Sequence, residues 1–274
     1  MRRSFRDAQS LVQAARSGDD ELLLGRALVL LGVLCKEVGQ LRRGESCYRR
    51  ALPIFVRALG RLHPSVATIY HNLGGILYAQ GLWGRAEHWT RRAVAVRTAG
   101  LGRRHAAVVA DEACLAPILA ARGKHVEAEA LYRRAIRFFS GRPRGRYDVA
   151  INSSNLGVLL EATGRFRAAE AAYRLALRSY RALRHAPPHD VALALHNLGV
   201  LRARAGGTDA EILLEQALDI FRRTLGSRHT LTRESRRHLS ELRTSSEPSL
   251  GAQRFRSART QSRRVSSAGR PKAA

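Results

Sequence analysis

Apolar and polar positions along the chain follow a helical spacing. Between residues 125 and 140, Val126, Ala128, Leu131, Ala135 and Ile136 recur at helical spacing. Charged residues occupy the positions between them. The same spacing returns along most of the chain and predicts helices throughout. Ala, Leu and Arg dominate the composition, and all three favour helix over strand.

The helical segments repeat. A Leu-Gly or Leu-Ala pair occurs as Leu31-Gly32, Leu73-Gly74, Leu115-Ala116, Leu156-Gly157 and Leu198-Gly199, with steps of 42, 42, 41 and 42 residues. A second phrase keeps the same step: GESCYRRA from Gly44, AEHWTRRA from Ala86, AEALYRRA from Ala128, AEAAYRLA from Ala169 and AEILLEQA from Ala210. A glycine falls between the two phrases at the same phase each time: Gly39, Gly81, Gly123, Gly164 and Gly206. Two anchors and a punctuating glycine in constant phase define five units, each predicted to be a helix, a tight turn and a second helix.

Local chemistry supports that division. Pro64 suits a first helical turn, where its missing N–H costs nothing. Asp148 and Asp190 place negative charge near helix N-termini. A glycine inside a helix costs about 1 kcal/mol against alanine. Five glycine or alanine choices at one phase therefore imply close approach of the paired helix, and Ala51, Ala93, Ala135, Ala176 and Ala217 are the candidates to face that seam. A single pair cannot bury its apolar face alone, whereas stacked pairs bury a continuous core.

These phrases resemble the tetratricopeptide repeat. The 42-residue step, the linker Leu59-Gly60-Arg61-Leu62-His63-Pro64 and the Asn-Leu-Gly phrase are similar to the longer kinesin-light-chain variety. The resemblance spans about residues 20–242. It implies an all-α fold, a right-handed superhelical solenoid of antiparallel helix pairs. The expected organisation is a capping helix in residues 1–19, an array of five units and a partial sixth over 20–242, and a disordered Ser/Arg-rich tail over 243–274. Two departures stand out. Leu30 and Cys114 replace the asparagine found at positions 72, 155 and 197, and Pro117 falls inside a first helix, where it is expected to produce a kink.

The net charge of +26 raises the possibility of a nucleic-acid partner. The charge is nevertheless dispersed, and only Lys36, Lys124 and Lys272 among 48 basic residues are lysines. The three cysteines, Cys35, Cys47 and Cys114, lack metal or redox spacing and read as buried, inert thiols. The opening residues lack a secretion-signal pattern and no long uncharged apolar run occurs, so a cytoplasmic chain without membrane attachment is expected.

Catalytic motifs are not found, and no cofactor or metal is expected. Glu45, Glu87, Glu129, Glu170 and Glu211 recur once per unit, the pattern of structural residues paired with arginines. His63, His105, His189 and His229 recur at the entries to first helices and read as caps. The remaining candidate is a groove. By the resemblance, first helices line a concave surface that receives a peptide or partner segment. The candidate groove residues are His71, Asn72, Ser154, Asn155, His196 and Asn197, with Tyr78, Arg122 and Arg204 bordering them. The asparagines either serve a ligand main chain or bond the backbone of a neighbouring unit. The resulting expectation is a non-enzymatic scaffold for a protein or peptide of acidic character. The alternative is a nucleic-acid-associated protein using the Arg-Arg pairs of the second helices and the basic tail.

Overall fold

The computed structural model describes residues 2–17 and 20–246. Within them lie twelve helices and no strand, so the chain has an all-α fold of helix pairs. α1 is Arg2–Ser17. The five pairs are α2 (Glu21–Glu37) with α3 (Leu41–Leu59), α4 (Pro64–Ala79) with α5 (Trp83–Leu101), α6 (Ala106–Ala121) with α7 (His125–Phe139), α8 (Arg146–Ala162) with α9 (Phe166–Arg181), and α10 (Pro188–Arg204) with α11 (Ala210–Leu225). α12, Thr230–Ser246, follows. The tail expected from residue 243 overlaps the end of α12, and its remainder lies outside the described residues. The helices fall into two compact units, divided between Ala186 and Pro187.

The turn within each pair has one solution used five times. The amide three residues past the end of the first helix reaches back five positions: Gln40 to Cys35, Leu82 to Leu77, Lys124 to Leu119, Arg165 to Leu160 and Gly207 to Arg202, at 2.8–2.9 Å. This closure requires a left-handed residue, and Gly39, Gly81, Gly123, Gly164 and Gly206 supply it with φ between 67° and 76°. At the entries to first helices, the Nδ1 atoms of His63, His105 and His229 accept from the amide two residues on, at 3.1–3.3 Å, as expected of caps. His189 does not cap; Pro187 takes that position and His189 lies one residue inside α10.

The small residues of the first helices meet the second helices closely. A Cβ on Gly32 would stand 2.6 Å from the Tyr48 ring, and one on Gly157 would stand 2.5 Å from the Tyr173 ring. At Gly199 it would meet Leu214 at 2.9 Å, and at Gly74 it would collide with the Thr90 hydroxyl. The contact residue is therefore the one three positions before the expected alanine. Ala51, Ala93, Ala135, Ala176 and Ala217 are fully buried as well, but Tyr48, Thr90, Tyr173 and Leu214 fill the space the glycines leave. A large side chain on one helix needs an empty place on the other.

In the first compact unit, α1 lays Phe5, Ala8 and Val12 on a core that includes Leu28, Leu31, Tyr48, Phe55, Ile69, Leu73 and Ile76. Pro117 does not interrupt α6, which remains helical from Ala106 to Ala121.

The seam gives a direct test. Gly157→Ala forces a methyl against the Tyr173 ring and should destabilise by about 1–3 kcal/mol, which lowers the melting temperature by several degrees. Gly84→Ala, where an added Cβ has open space, should be neutral or slightly stabilising. Thermal unfolding followed by circular dichroism separates the two, and equal melting temperatures would refute the close-contact account.

Candidate ligand groove

Within residues 1–186, the backbone of each first helix comes close to the next (α2 with α4, α4 with α6, α6 with α8), whereas successive second helices stand further apart and meet through long side chains such as Glu45 and Arg85. The first helices thus line the tighter side of this unit, and a polar centre lies along it. Asp111, on α6, is 1% exposed. Its Oδ1 pairs with His71 Nδ1 at 2.9 Å and accepts from Arg97 at 2.9 Å. Arg97 also donates to the Thr68 hydroxyl at 3.1 Å. The other Asp111 oxygen is buried with no partner. Beside it, the buried Glu112 pairs with Arg134 at 2.6 Å and likewise keeps one oxygen unpartnered. A buried carboxylate usually satisfies both oxygens, so these two leave acceptor capacity within the fold.

The expected groove residues divide by environment. Asn72 is half-buried, Asn155 and Tyr78 are exposed, and Ser154 is buried. Among the described residues, Asn72 and Asn155 form no hydrogen bond to a neighbouring repeat. His71 is engaged by Asp111. Arg122 is drawn away from the groove into an ion pair with Glu87. At one end of the row the surface turns apolar: Leu30 is 46% and Val33 39% exposed, beside a hollow shared with Arg26, Thr68 and Ile69. Cys114 is also exposed, in contrast to the expected burial of all three cysteines, while Cys35 and Cys47 are buried. Asp111, Arg97 and Thr68 were not singled out from the sequence. The signal was present, since Asp111-Glu112 interrupts the otherwise apolar AAVVADEACLAPILAA at a buried register.

Residues 187–246 form their own constellation. His196 is 8% exposed and shares a 2.8 Å hydrogen bond with the Ser235 hydroxyl. Its ring lies 5.3 Å from His238 and 6.4 Å from Phe221, and His189 packs on Phe221 at 5.9 Å. His196 is therefore a packing residue rather than a surface one. Asn197 is half-buried without a hydrogen bond among the described residues, and Arg204 is exposed in the last turn of α10.

The repeated glutamates join units. Glu87 is 5% exposed and gathers Arg91 at 2.8 Å from its own helix, with Arg122 and Lys124 (2.7 Å) from the next turn. Glu45 binds Arg49 at 2.8 Å, Arg85 at 2.9 Å and Gln80 at 3.1 Å. Glu129 repeats the arrangement with Arg133 and Arg165, and Glu211 pairs with Arg243 at 2.6 Å. Their role is structural, as the once-per-unit spacing indicated. No group of His, Cys, Asp and Glu among the described residues is placed to hold a metal ion, and no helix there is long and apolar enough to cross a membrane.

With this geometry in place, comparison with known proteins assigns the family. Tetratricopeptide-repeat profiles match residues 23–99, 108–182 and 191–231, so the chain belongs to the tetratricopeptide repeat family. BtubC (BKLC) from P. vanneervenii is 26% identical over 83% of this chain and 93% of its own, with a TM-score of 0.67. A putative kinesin light chain of nearly identical repeats from Podosopora anserina is 21% identical over 76% of this chain and 99% of its own, with a TM-score of 0.58. NprR, in complex with its cognate peptide NprX, shares the fold at 14% identity and a TM-score of 0.63, over 97% of this chain and 71% of its own. Comparison with curated proteins gives no match.

Two pH effects follow from the charges. Burial opposes ionisation of Glu87, but hydrogen bonds from Lys124, Arg91 and Arg122 outweigh it and hold its pKa at about 2. The knot is fully stabilising above the unfolded value near 4.5 and weakens as pH falls toward 2. Glu87→Gln should cost about 1–3 kcal/mol at neutral pH, and the difference from wild type should shrink below pH 4.5, as read by urea unfolding across pH. A gap that stays constant with pH would refute it. His196 behaves in the opposite chemical sense. Burial, with His238 nearby, lowers it to about 4. Protonation then favours the unfolded chain, so residues 187–246 should lose up to about 3 kcal/mol as pH falls from 6.5 to 4. The protection of α10–α12 amides, taken relative to the intrinsic exchange rate at each pH, should fall over that range, and less so in His196→Phe.

Proposed function

We propose that the chain is a protein-interaction scaffold, not an enzyme, which holds an acidic peptide or partner segment along its first helices in the cytoplasm. The single observation that carries this reading is the state of the asparagines. Asn72 and Asn155 sit on the inner helices with no hydrogen bond among the described residues. A side-chain amide left free offers donors and an acceptor at once, which matches the alternating groups of an extended main chain. A structural asparagine would instead be bonded to the adjoining repeat. NprR, which shares the fold, was solved with its cognate peptide. The apolar patch at Leu30 and Val33 supplies a place for a hydrophobic side chain of the ligand, and Tyr78 a flanking ring. The acidic preference rests on the net charge of +26.

A nucleic-acid partner has less support. The Arg-Arg pairs expected to form a free positive stripe are largely committed. Arg49, Arg91 and Arg133 bind the repeated glutamates, Arg92 lies over Tyr70 and Trp89, and Arg134 binds Glu112.

Selection of a displayed random-peptide library on the whole chain should enrich acidic sequences. Binding of the selected peptides should fall about ten-fold or more in Asn72→Ala combined with Asn155→Ala, with unchanged thermal stability. Peptides that bind the double variant equally well, or enrichment without acidic bias, would overturn the groove assignment or the charge assignment respectively.

A further inference from the structure

Three linkers between helix pairs in residues 1–186 share a composition. They read GRLH from Gly60, GRRH from Gly102 and SGRPRG from Ser140, with five arginines and no aspartate or glutamate. They enter α4, α6 and α8, alternate helices of an antiparallel stack that lie side by side, so the linkers follow one another along a single edge. At the turn edge, opposite, the repeated glutamates take up the cations: Arg85, Arg122 and Arg165 are held by Glu45, Glu87 and Glu129. No carboxylate does the same for the linkers. Arg61, Arg103, Arg104 and Arg144 are exposed, and their guanidinium groups make no ion pair or hydrogen bond among the described residues. Of the five, Arg142 alone is engaged, folded over the Phe138 ring at 3.8 Å.

Other groups at this edge are donors as well. The caps of His63 and His105 use Nδ1 as acceptor, which leaves the ring proton on Nε2. The amides of residues 61, 62, 103 and 104 make no backbone hydrogen bond among the described residues. Such a set suits an anion, and its recurrence from linker to linker suits a polymer of regularly spaced negative charge. The shape narrows the choice. An added Cβ on Gly60, Gly102 or Gly141 would meet nothing within 4 Å, so the linkers are open ridges without the pockets by which a peptide's side chains are held. Leu62 protrudes there, but insertion into a lipid interface also relies on aromatic rings, and the linkers contain none. The same lack disfavours a single strand, whose bases stack on such rings, relative to a duplex, whose phosphates face outward.

We propose that this edge binds duplex nucleic acid through its phosphate backbone. Arg61, Arg103, Arg104 and Arg144 set their forked N–H donors on phosphate oxygens, and the histidine Nε2–H groups and open amides add to them. Contacts to phosphate carry no sequence information, so binding is independent of base sequence. The second-helix arginines already committed to glutamates and rings take no part. The edge is separate from Asn72 and Asn155 and does not depend on the scaffold reading.

The probe is a fluorescein-labelled DNA duplex of about 20 base pairs, titrated with the full chain and followed by anisotropy from about 0.05 to 0.3 M salt. The logarithm of the affinity should fall against the logarithm of salt with a slope of about −3 to −4, as four neutralised phosphates require. Combining Arg61→Gln, Arg103→Gln, Arg104→Gln and Arg144→Gln should weaken binding at about 0.1 M salt by roughly thirty-fold or more and flatten the slope by about 3. A charge-matched variant, Arg42→Gln with Arg43→Gln, Arg50→Gln and Arg167→Gln, also at exposed positions, should lose less than about three-fold. Equal loss in the two variants would overturn the proposal. The unmodified chain tests it independently: a slope shallower than about −2, a preference above roughly ten-fold between two duplex sequences, tighter binding of the separated single strand, or equal competition by polyglutamate or phosphatidylserine vesicles at matched charge would each refute it.

Discussion

At one position in four of the five helix pairs, the two helices approach so closely that no side chain fits on the first. Gly32 and Gly157 face tyrosine rings, Gly74 faces Thr90 and Gly199 faces Leu214. The third pair uses Ala116 there, with Tyr132 buried opposite it at the same phase. The rest of the structure depends on this approach. A helix pair held at short range presents its remaining apolar residues as a narrow edge, which only another pair can cover. Leu73, Ile76 and Leu77 reach full burial because a neighbouring unit supplies the far side of the core.

Apolar stacking has no strong directional preference along the array, and ion pairs add one. The repeated glutamates at 45, 87, 129 and 170 each reach an arginine four residues later on their own helix, and those at 45, 87 and 129 also reach a basic residue at or just after the turn of the next unit. Exposed ion pairs contribute little singly. Glu87 is different, because it is buried and three cations converge on it, so removal of its charge would leave Arg122 and Lys124 unmatched. The same pairs absorb much of the positive charge that the composition advertises. The arginines are abundant partly because the array uses them as fasteners.

Once seam and fasteners are satisfied, the outward positions of the first helices are free to vary, and there the units differ: Leu30, Asn72, Cys114, Asn155 and Asn197 occupy one equivalent position. Variation of packing residues has a different consequence. The position of Tyr70 becomes Glu112 and then Ser153 in later units. The glutamate is paired with Arg134, whereas the serine is fully buried with its hydroxyl unpartnered.

The repeat period, the helix–turn–helix units and the structural role of the glutamates were legible in the sequence, because each depends on residues close along the chain or on strict recurrence. The five turn glycines and the capping histidines at 63, 105 and 229 are local in this sense. What the sequence left open depends on distances between units. It could not tell that the glycines face Tyr48 and Tyr173 rather than the alanines three residues on, since both lie on the same side of a helix. It did not reveal that His196 is buried against Ser235, or that Arg122 turns away to Glu87. Nor did it reveal Asp111, whose partners come from two other helices. Recurrence fixes which residues are equivalent. Only tertiary packing decides which of those equivalent residues are used up inside the fold and which remain available to a ligand.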